Sequence, residues 1–405
     1  MSDPEGAAQT PLFQSSLLNK DLVVAVLATS MASIPAFLVG ALAVEIRQSF
    51  SVTTAELGLA VTSYYLGAAL WAVPSGRVAE RMGGVRVLKL TPMIGSVLLA
   101  SIALLSSSWW LLALLLFPCG MVSAATATAS NLFLARRGKP GRQGATFGIK
   151  QAAVPFASLL GGLAVPALAL TLGWRWAFGL AAMLSIVTAI LVPKPSQPRS
   201  KATGHAARAL PAIDKLPITL LASGIGLGVF SASGMAAFLV SGTVHVGISK
   251  SIAGLIAALA GAATVVVRIT SGFLADRRGS SHFSVIAIMM LIGAIGYVSL
   301  AIGQHLGVAL LLVVGAVVAL GVGWGWNGLF NFAVIDKHRA TPARATGMTQ
   351  LGGRLGGMLG PTIIGLCIDH FSYSAGWLLA ATTCGLAAVA VLAGSHLLEQ
   401  RAATQ

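Results

Sequence analysis

Arg268 and Arg354 stand in the middle of apolar segments long enough to cross a membrane, VVVRIT at 265–270 and GGRLGG at 352–357. An arginine at the centre of a membrane helix costs about 2.5–3.5 kcal/mol on insertion scales. Its guanidinium stays protonated, and its planar fork of donors matches a carboxylate through two parallel hydrogen bonds. Two such groups without an acid at their depth predict a site for something negative. A third cation, Lys150, lies about six residues into another apolar segment, shallow enough to snorkel to the near surface. Its setting, Gly148-Ile149-Lys150-Gln151 followed by Pro155, also makes Lys150 and Gln151 candidate ligand groups. Tyr64, Tyr65, Trp324, Trp326, Asn327 and Asn331 add polar edges at membrane depth. A mostly apolar cavity for a small organic ligand needs a few such groups.

Only membrane helices can position these residues. The chain of 405 residues is 56% hydrophobic and 9% charged, with mean hydropathy +0.86; soluble domains carry about 25% charged residues. Apolar runs of about 18 residues or more recur along its length, each enough to cross about 30 Å of hydrocarbon. Hydropathy and breakers place spans 1–6 at 21–44, 55–79, 87–106, 109–135, 144–170 and 174–192. Spans 7–12 follow at 216–242, 251–277, 281–303, 306–333, 344–369 and 373–397. The expected fold is an all-α membrane protein with two pseudo-symmetric six-helix bundles, 21–192 and 216–397. A short tail (1–20), a Pro-, Ser- and Lys/Arg-rich linker (193–215) and a second tail (398–405) complete the chain.

Twenty of the 26 Lys and Arg residues fall on the face that carries both termini and the linker, against Arg47, Arg175 and Lys250 on the other. The positive-inside rule then predicts cytoplasmic termini in a multi-pass protein of the plasma (inner) membrane. The net charge of +15 is thereby a topology signal, with the lipid bilayer as partner and no nucleic acid implied. All eleven acids fall outside mid-depth: Glu45, Glu56 and Asp369 belong to the outer side, and the rest to the cytoplasmic side. Arg268 lies about 13 Å from the inner end of span 8, and Arg354 about 15 Å into span 11. Cys119, Cys367 and Cys384 all lie in apolar segments without metal spacing. The seven His residues form no ligand set, and no nucleophilic grouping, phosphate loop or dinucleotide fingerprint occurs. No enzyme activity, metal or cofactor is expected.

The halves repeat. Gly76-Arg77-Val78-Ala79-Glu80-Arg81-Met82-Gly83 closes span 2, and Gly272-Phe273-Leu274-Ala275-Asp276-Arg277-Arg278-Gly279 closes span 8. Ala145-Thr146-Phe147-Gly148 in span 5 likewise echoes Ala345-Thr346-Gly347 in span 11, each leading to Gly-Gly and a Pro. The paired G-x-x-x-[DE]-R-x-G element, twelve spans and a central linker resemble the major facilitator superfamily over essentially the whole chain. The resemblance implies that Gly76, Glu80, Arg81 and Gly83, with Gly272, Asp276, Arg277 and Gly279, latch the outward-facing state through contacts with neighbouring helix ends. Glu80 stands where the family usually has Asp, and Gly84 where a basic residue is common. The resembled fold is by default a monomer.

The run from Arg268 through Gly272 to Asp276 is similar to span 8 of the monocarboxylate and oxalate/formate carriers, where an arginine binds substrate carboxylate. Arg354 corresponds to the second cation that oxalate carriers place in span 11. No Pro follows Arg268, and Thr264 occupies the place of an acid in monocarboxylate porters. The expected function is secondary transport of a small organic anion, a mono- or dicarboxylate, by rocker-switch alternating access, as an exchanger or a substrate–proton symporter. Proton-coupled efflux of drugs or metabolites is the alternative. Drug antiporters of this fold carry an Arg within span 4 and Gly-Pro in span 5. Here span 4 has no basic residue before Arg136, and span 5 has Val154-Pro155. An inorganic-anion carrier is the third reading, although Arg354 stands where nitrate carriers have Asn.

Overall fold

The computed structural model describes residues 20–137, 143–193, 214–277, 282–338 and 341–403, and the regular structure in them is helical throughout. Eleven helices are long and apolar enough to cross a membrane, and one bent pair supplies a twelfth span. Span 1 is α1 (Lys20–Ala41), continued by the short α2 (Ala43–Phe50). Span 2 is α3 (Thr54–Leu70) and α4 (Ala72–Met82), bent by 50°. Spans 3 and 4 are α5 (Gly84–Leu105) and α6 (Trp109–Arg137). Span 5 is α7 (Gln143–Gln151), α8 (Ala153–Ala164) and a wide turn at Val165–Ala169, and span 6 is α9 (Trp174–Leu191). The second bundle begins with α10 (Lys215–His245), α11 (Lys250–Arg277) and α12 (His282–Leu306) as spans 7–9. Span 10 is α13 (Ala309–Ala316), a wide turn at Val317–Val322 and α14 (Asn327–Lys337). Spans 11 and 12 are α15 (Pro342–His370) and α16 (Tyr373–Ala403).

The helices start and stop within a few residues of the hydropathy boundaries, because a membrane span must bury about 20 apolar residues wherever its caps fall. Two ends differ. The first span stops at Ala41 and restarts as α2, and α16 runs on through most of the expected tail to Ala403. The linker from 194 to 213 lies outside the described residues.

In the first bundle α3 packs on α6, α5 on α9 and α6, and α1 on α8 and α6. In the second, α10 packs on α15 and α16, and α12 on α16. The bundles meet along two seams, α3 against α15 and span 5 against α11, with α1 against α10 between them. Without a hydrophobic drive between helices in lipid, close backbone approach has to supply the attraction, and small residues permit it. A Cβ on Gly58 would stand 2.5 Å from the Pro361 carbonyl oxygen, and one on Gly148 3.1 Å from the Cα of Gly272.

The face opposite the Lys/Arg-rich one, here the far face, is fastened. The Asp369 carboxylate at the end of α15 accepts hydrogen bonds from the Thr54 and Ala55 amides at 3.2 and 2.6 Å, capping the N-terminus of α3 across the seam. Such a terminus leaves four amides free and favours negative charge. On the other seam Lys250 Nζ lies 3.3 Å from Glu45 Oε1 and donates to Gln48 Oε1 at 3.1 Å. Between the seams, a Cβ on Gly40 would overlap the Ala236 carbonyl. On the basic face the α3–α15 seam ends where α4 bends away, and among the described residues no atom beyond the glycine's own helix backbone comes within 4 Å of a Cβ position at Gly76 or Gly347.

Candidate functional site

Arg268 is buried, 2% exposed, at the junction of spans 5, 8 and 10. Nη1 donates to the Gln151 carbonyl at 2.8 Å and Nη2 to the Trp324 carbonyl at 3.2 Å. Both carbonyls sit at helix breaks. Gln151 ends α7, and the residue four places on is Pro155, which has no N–H to give it. Trp324 lies between the wide turn and α14. The guanidinium carbon stands 4.4 Å from the centroid of the Trp324 ring, a cation–π contact worth about 2 kcal/mol when water is excluded. Two donors at this contact have no acceptor among the described residues: Arg268 Nε and Trp324 Nε1, both fully buried.

A polar chain leads away from the guanidinium. Gln151 Nε2 is 3.4 Å from Asn327 Oδ1, Asn331 Nδ2 donates to the Asn327 carbonyl at 3.1 Å, and Gln350 Nε2 donates to Asn331 Oδ1 at 2.6 Å. Spans 5, 10 and 11 are thereby joined at one level. Gln350 was not among the sequence candidates; its position one turn before Arg354 was the available signal.

Arg354 is half-buried and serves the other seam, where Nη1 donates to the Ala68 carbonyl. Ala68 belongs to the last turn of α3, next to the break at Trp71. Sequence depth alone put the two arginines together. Each is instead bonded into a different seam, and each donates to one carbonyl of the opposite bundle, Gln151 for Arg268 and Ala68 for Arg354. Tyr65 lies against Gly357 in the Arg354 seam. Tyr64 stacks edge-on against Tyr65 with centroids 5.4 Å apart, and its hydroxyl donates to the Ala32 carbonyl at 2.9 Å. That bond ties Tyr64 to span 1 within the first bundle. Trp326 is a core residue whose Nε1 donates to the Gly323 carbonyl.

Lys150 is 3% exposed. No described residue forms an ion pair or hydrogen bond with it. Its helix, α7, packs on α11, α1 and α14. Glu80 and Arg81 are exposed, without an ion pair among the described residues, and Gly83 is the turn between α4 and α5 with φ 86°. Gly272 is the close neighbour of Gly148. The side chains of Asp276 and Arg277, and Gly279 entirely, lie outside the described residues. No group of three or more His, Cys, Asp or Glu suited to a metal occurs among the described residues.

The fold has solved counterparts. A D-xylose–proton symporter is 18% identical, with TM-score 0.74 over 93% of this chain and 97% of that one. A mutant of the nucleoside transporter NupG is 15% identical, with TM-score 0.72 over 93% and 100%. A bacterial homologue of the human lysosomal transporter Spinster, inward-facing and occupied, is 18% identical, with TM-score 0.69 over 93% and 96%. At these identities the likeness is one of fold. No curated protein matches the chain significantly. Residues 24–343 match the Major Facilitator Superfamily, and with two six-helix bundles meeting along paired seams, the chain is a transporter of that superfamily.

Proposed function

We propose that the protein is a secondary carrier for a small organic anion, a mono- or dicarboxylate, that works by rocker-switch alternating access. The reading rests on one observation: Arg268 Nε and Trp324 Nε1, on two side chains in cation–π contact, are buried donors without an acceptor among the described residues, and no acid shares their depth. A carboxylate has the lone pairs and the charge to satisfy both. Substrates such as D-xylose or a nucleoside could hydrogen-bond there but would leave the guanidinium charge uncompensated. Lys150, Gln151, Tyr65 and Asn327 would complete the binding surface around the anion, with Arg354 reached across the interface and Tyr64 behind Tyr65.

Each arginine now donates to a carbonyl of the opposite bundle, and Arg268 also to the Trp324 carbonyl of its own, all neutral acceptors. An anion is the stronger partner, so its arrival draws the guanidinium from the opposite bundle's carbonyl and frees the bundles to rock. Neutralised arginines also lower the desolvation cost of enclosing the substrate. In the opposite state Glu80 and Arg81, with Asp276 and Arg277 in the second bundle, would latch the basic face. One copy contains both seams and can act as a monomer in the plasma membrane with its termini in the cytoplasm.

The test is a thermal-shift screen of detergent-purified protein against carboxylates, inorganic anions and cationic drugs, with Arg268→Ala and Arg354→Ala alongside. A ligand at 100 times its Kd adds about 2.7 kcal/mol to the folded state. Stabilisation by carboxylates that both substitutions abolish is the expected result. Stabilisation by cations, or anion binding indifferent to both changes, would move proton-coupled efflux to the front.

A further inference from the structure

We propose that Lys150 carries a proton with the substrate, so that the protein moves anion and proton together. The inference rests on the anion reading above and identifies its coupling group. Lys150 is buried and unpartnered among the described residues. It immediately precedes Gln151, whose carbonyl Arg268 holds at 2.8 Å, so the helix that carries Lys150 ends at the residue Arg268 binds. A lysine side chain this deeply covered, without a counter-charge, makes its ammonium costly. An arginine could not shed that cost, because its guanidinium does not give up a proton. Lysine can, and buried lysines do so readily.

The described surroundings offer no permanent counter-charge at that level. On α11 the one ionisable side chain described near the junction is Arg268, and those of Asp276 and Arg277 lie outside the described residues. On α14, Asp336 and Lys337 lie about 12 Å or more toward the basic face from Gly328, the residue that meets Gly148 and Gln151. On α1, Lys20 and Asp21 lie about 14 Å toward the same face from Ser30, which donates to the Ala153 carbonyl. The second helix of span 5, α8, carries no ionisable residue.

The cycle balances in charge. Without substrate Lys150 is a neutral amine. An entering carboxylate brings negative charge to the Arg268 junction, the amine takes one proton from the open side, and the ammonium donates to the anion. After the bundles rock, the anion leaves, the ammonium is again without an acceptor, and the proton departs to the new side. No carboxylate is needed at mid-depth, where none is found.

Proton uptake can be read directly. Purified protein in a weakly buffered solution at pH 8 receives oxalate, acetate, pyruvate or succinate. A pH-sensitive dye reports protons and calorimetry reports anion bound, for the wild type, Lys150→Arg and Lys150→Met. The expectation is uptake of about one proton per anion by the wild type. Lys150→Arg, with its fixed charge, should bind the anion without proton uptake. Lys150→Met should bind more weakly, also without uptake. Wild-type binding without proton uptake, or undiminished uptake by Lys150→Arg, would overturn the assignment while leaving the anion reading intact. Absence of binding to any of the four anions would overturn the anion reading and the coupling with it. Because Lys150→Arg preserves charge and bulk, its result stands even where Lys150→Met fails to fold.

Discussion

Replacing Asp369 by Asn should shift the carrier toward far-face opening. The carboxylate caps α3 from the opposite bundle through the Thr54 and Ala55 amides, so the contact exists only while the far face is closed. Hydrogen bonds to charged groups contribute about 1.5–3 kcal/mol when protected from water. Asp369 is exposed, and charge at an exposed helix end is worth about 0.3–1 kcal/mol. Asparagine keeps one acceptor oxygen for the amide at 2.6 Å and loses the charge and the second oxygen. The net loss is about 1 kcal/mol, a change of about fivefold in the closed-to-open ratio. Spin labels on Leu59 and Phe371, which are 43% and 79% exposed, would follow the seam in a background with Cys367 replaced. The long-distance population should grow about fivefold in Asp369→Asn. Glu56→Gln is the control, since Glu56 completes the capping box of α3 with Thr53 on its own side of the seam. An unchanged distance distribution in Asp369→Asn, or an equal shift in the control, would refute the cross-bundle cap as a gate.

Arg268→Met should lower ligand-free stability by about 3 kcal/mol. Two carbonyls lose their donor at about 2 kcal/mol each and the Trp324 contact of about 2 kcal/mol goes with them, offset in part by removal of a charge that costs about 3 kcal/mol at that depth; collapse of the fold in thermal unfolding would make the arginine a structural residue. Gly356→Ala should destabilise by about 1–3 kcal/mol through overpacking, because its Cβ would overlap the Gly226 carbonyl. Gly76→Ala has open space and a helix-interior gain of about 1 kcal/mol, so unfolding curves of the two should move in opposite directions. A fluorescent protein fused after the C-terminus should light up in cells, and alkaline phosphatase fused there should stay inactive; the reverse pattern would invert the orientation.

The spans were legible because hydropathy summed over about 20 residues outweighs local ambiguity. The breaks were less so. Pro155 signals an unpaired carbonyl at Gln151, but the wide turns at Val165–Ala169 and Val317–Val322 follow from packing and carry no plain mark. Depth counting placed both arginines at mid-membrane but not their directions, since a rotation of 100° per residue sends side chains of equal depth to different seams. Lys150, shallow by depth counting, is nonetheless 3% exposed where α7 packs on α11, α1 and α14. Gln151 and Asn327 were anticipated as ligand groups and are linked to each other, which makes them a connected surface. The fastenings made by Asp369 and Lys250 were invisible, because their partners lie hundreds of residues away in sequence.

The span 5–α11 seam has an electrical consequence. A Cβ on Gly254 would lie 2.7 Å from the Gly162 carbonyl oxygen, and one on Gly162 2.5 Å from the Ala258 amide nitrogen, so main chain rests on main chain. Such a contact has no side-chain rotamers to fluctuate and no gap for a file of water. It insulates: a carrier open on one side must still hold the voltage across the membrane, and here the insulator is the backbone itself. Gly254→Leu should pry that insulation apart, and liposomes carrying the variant would lose an imposed potassium diffusion potential faster than wild-type ones with no substrate present.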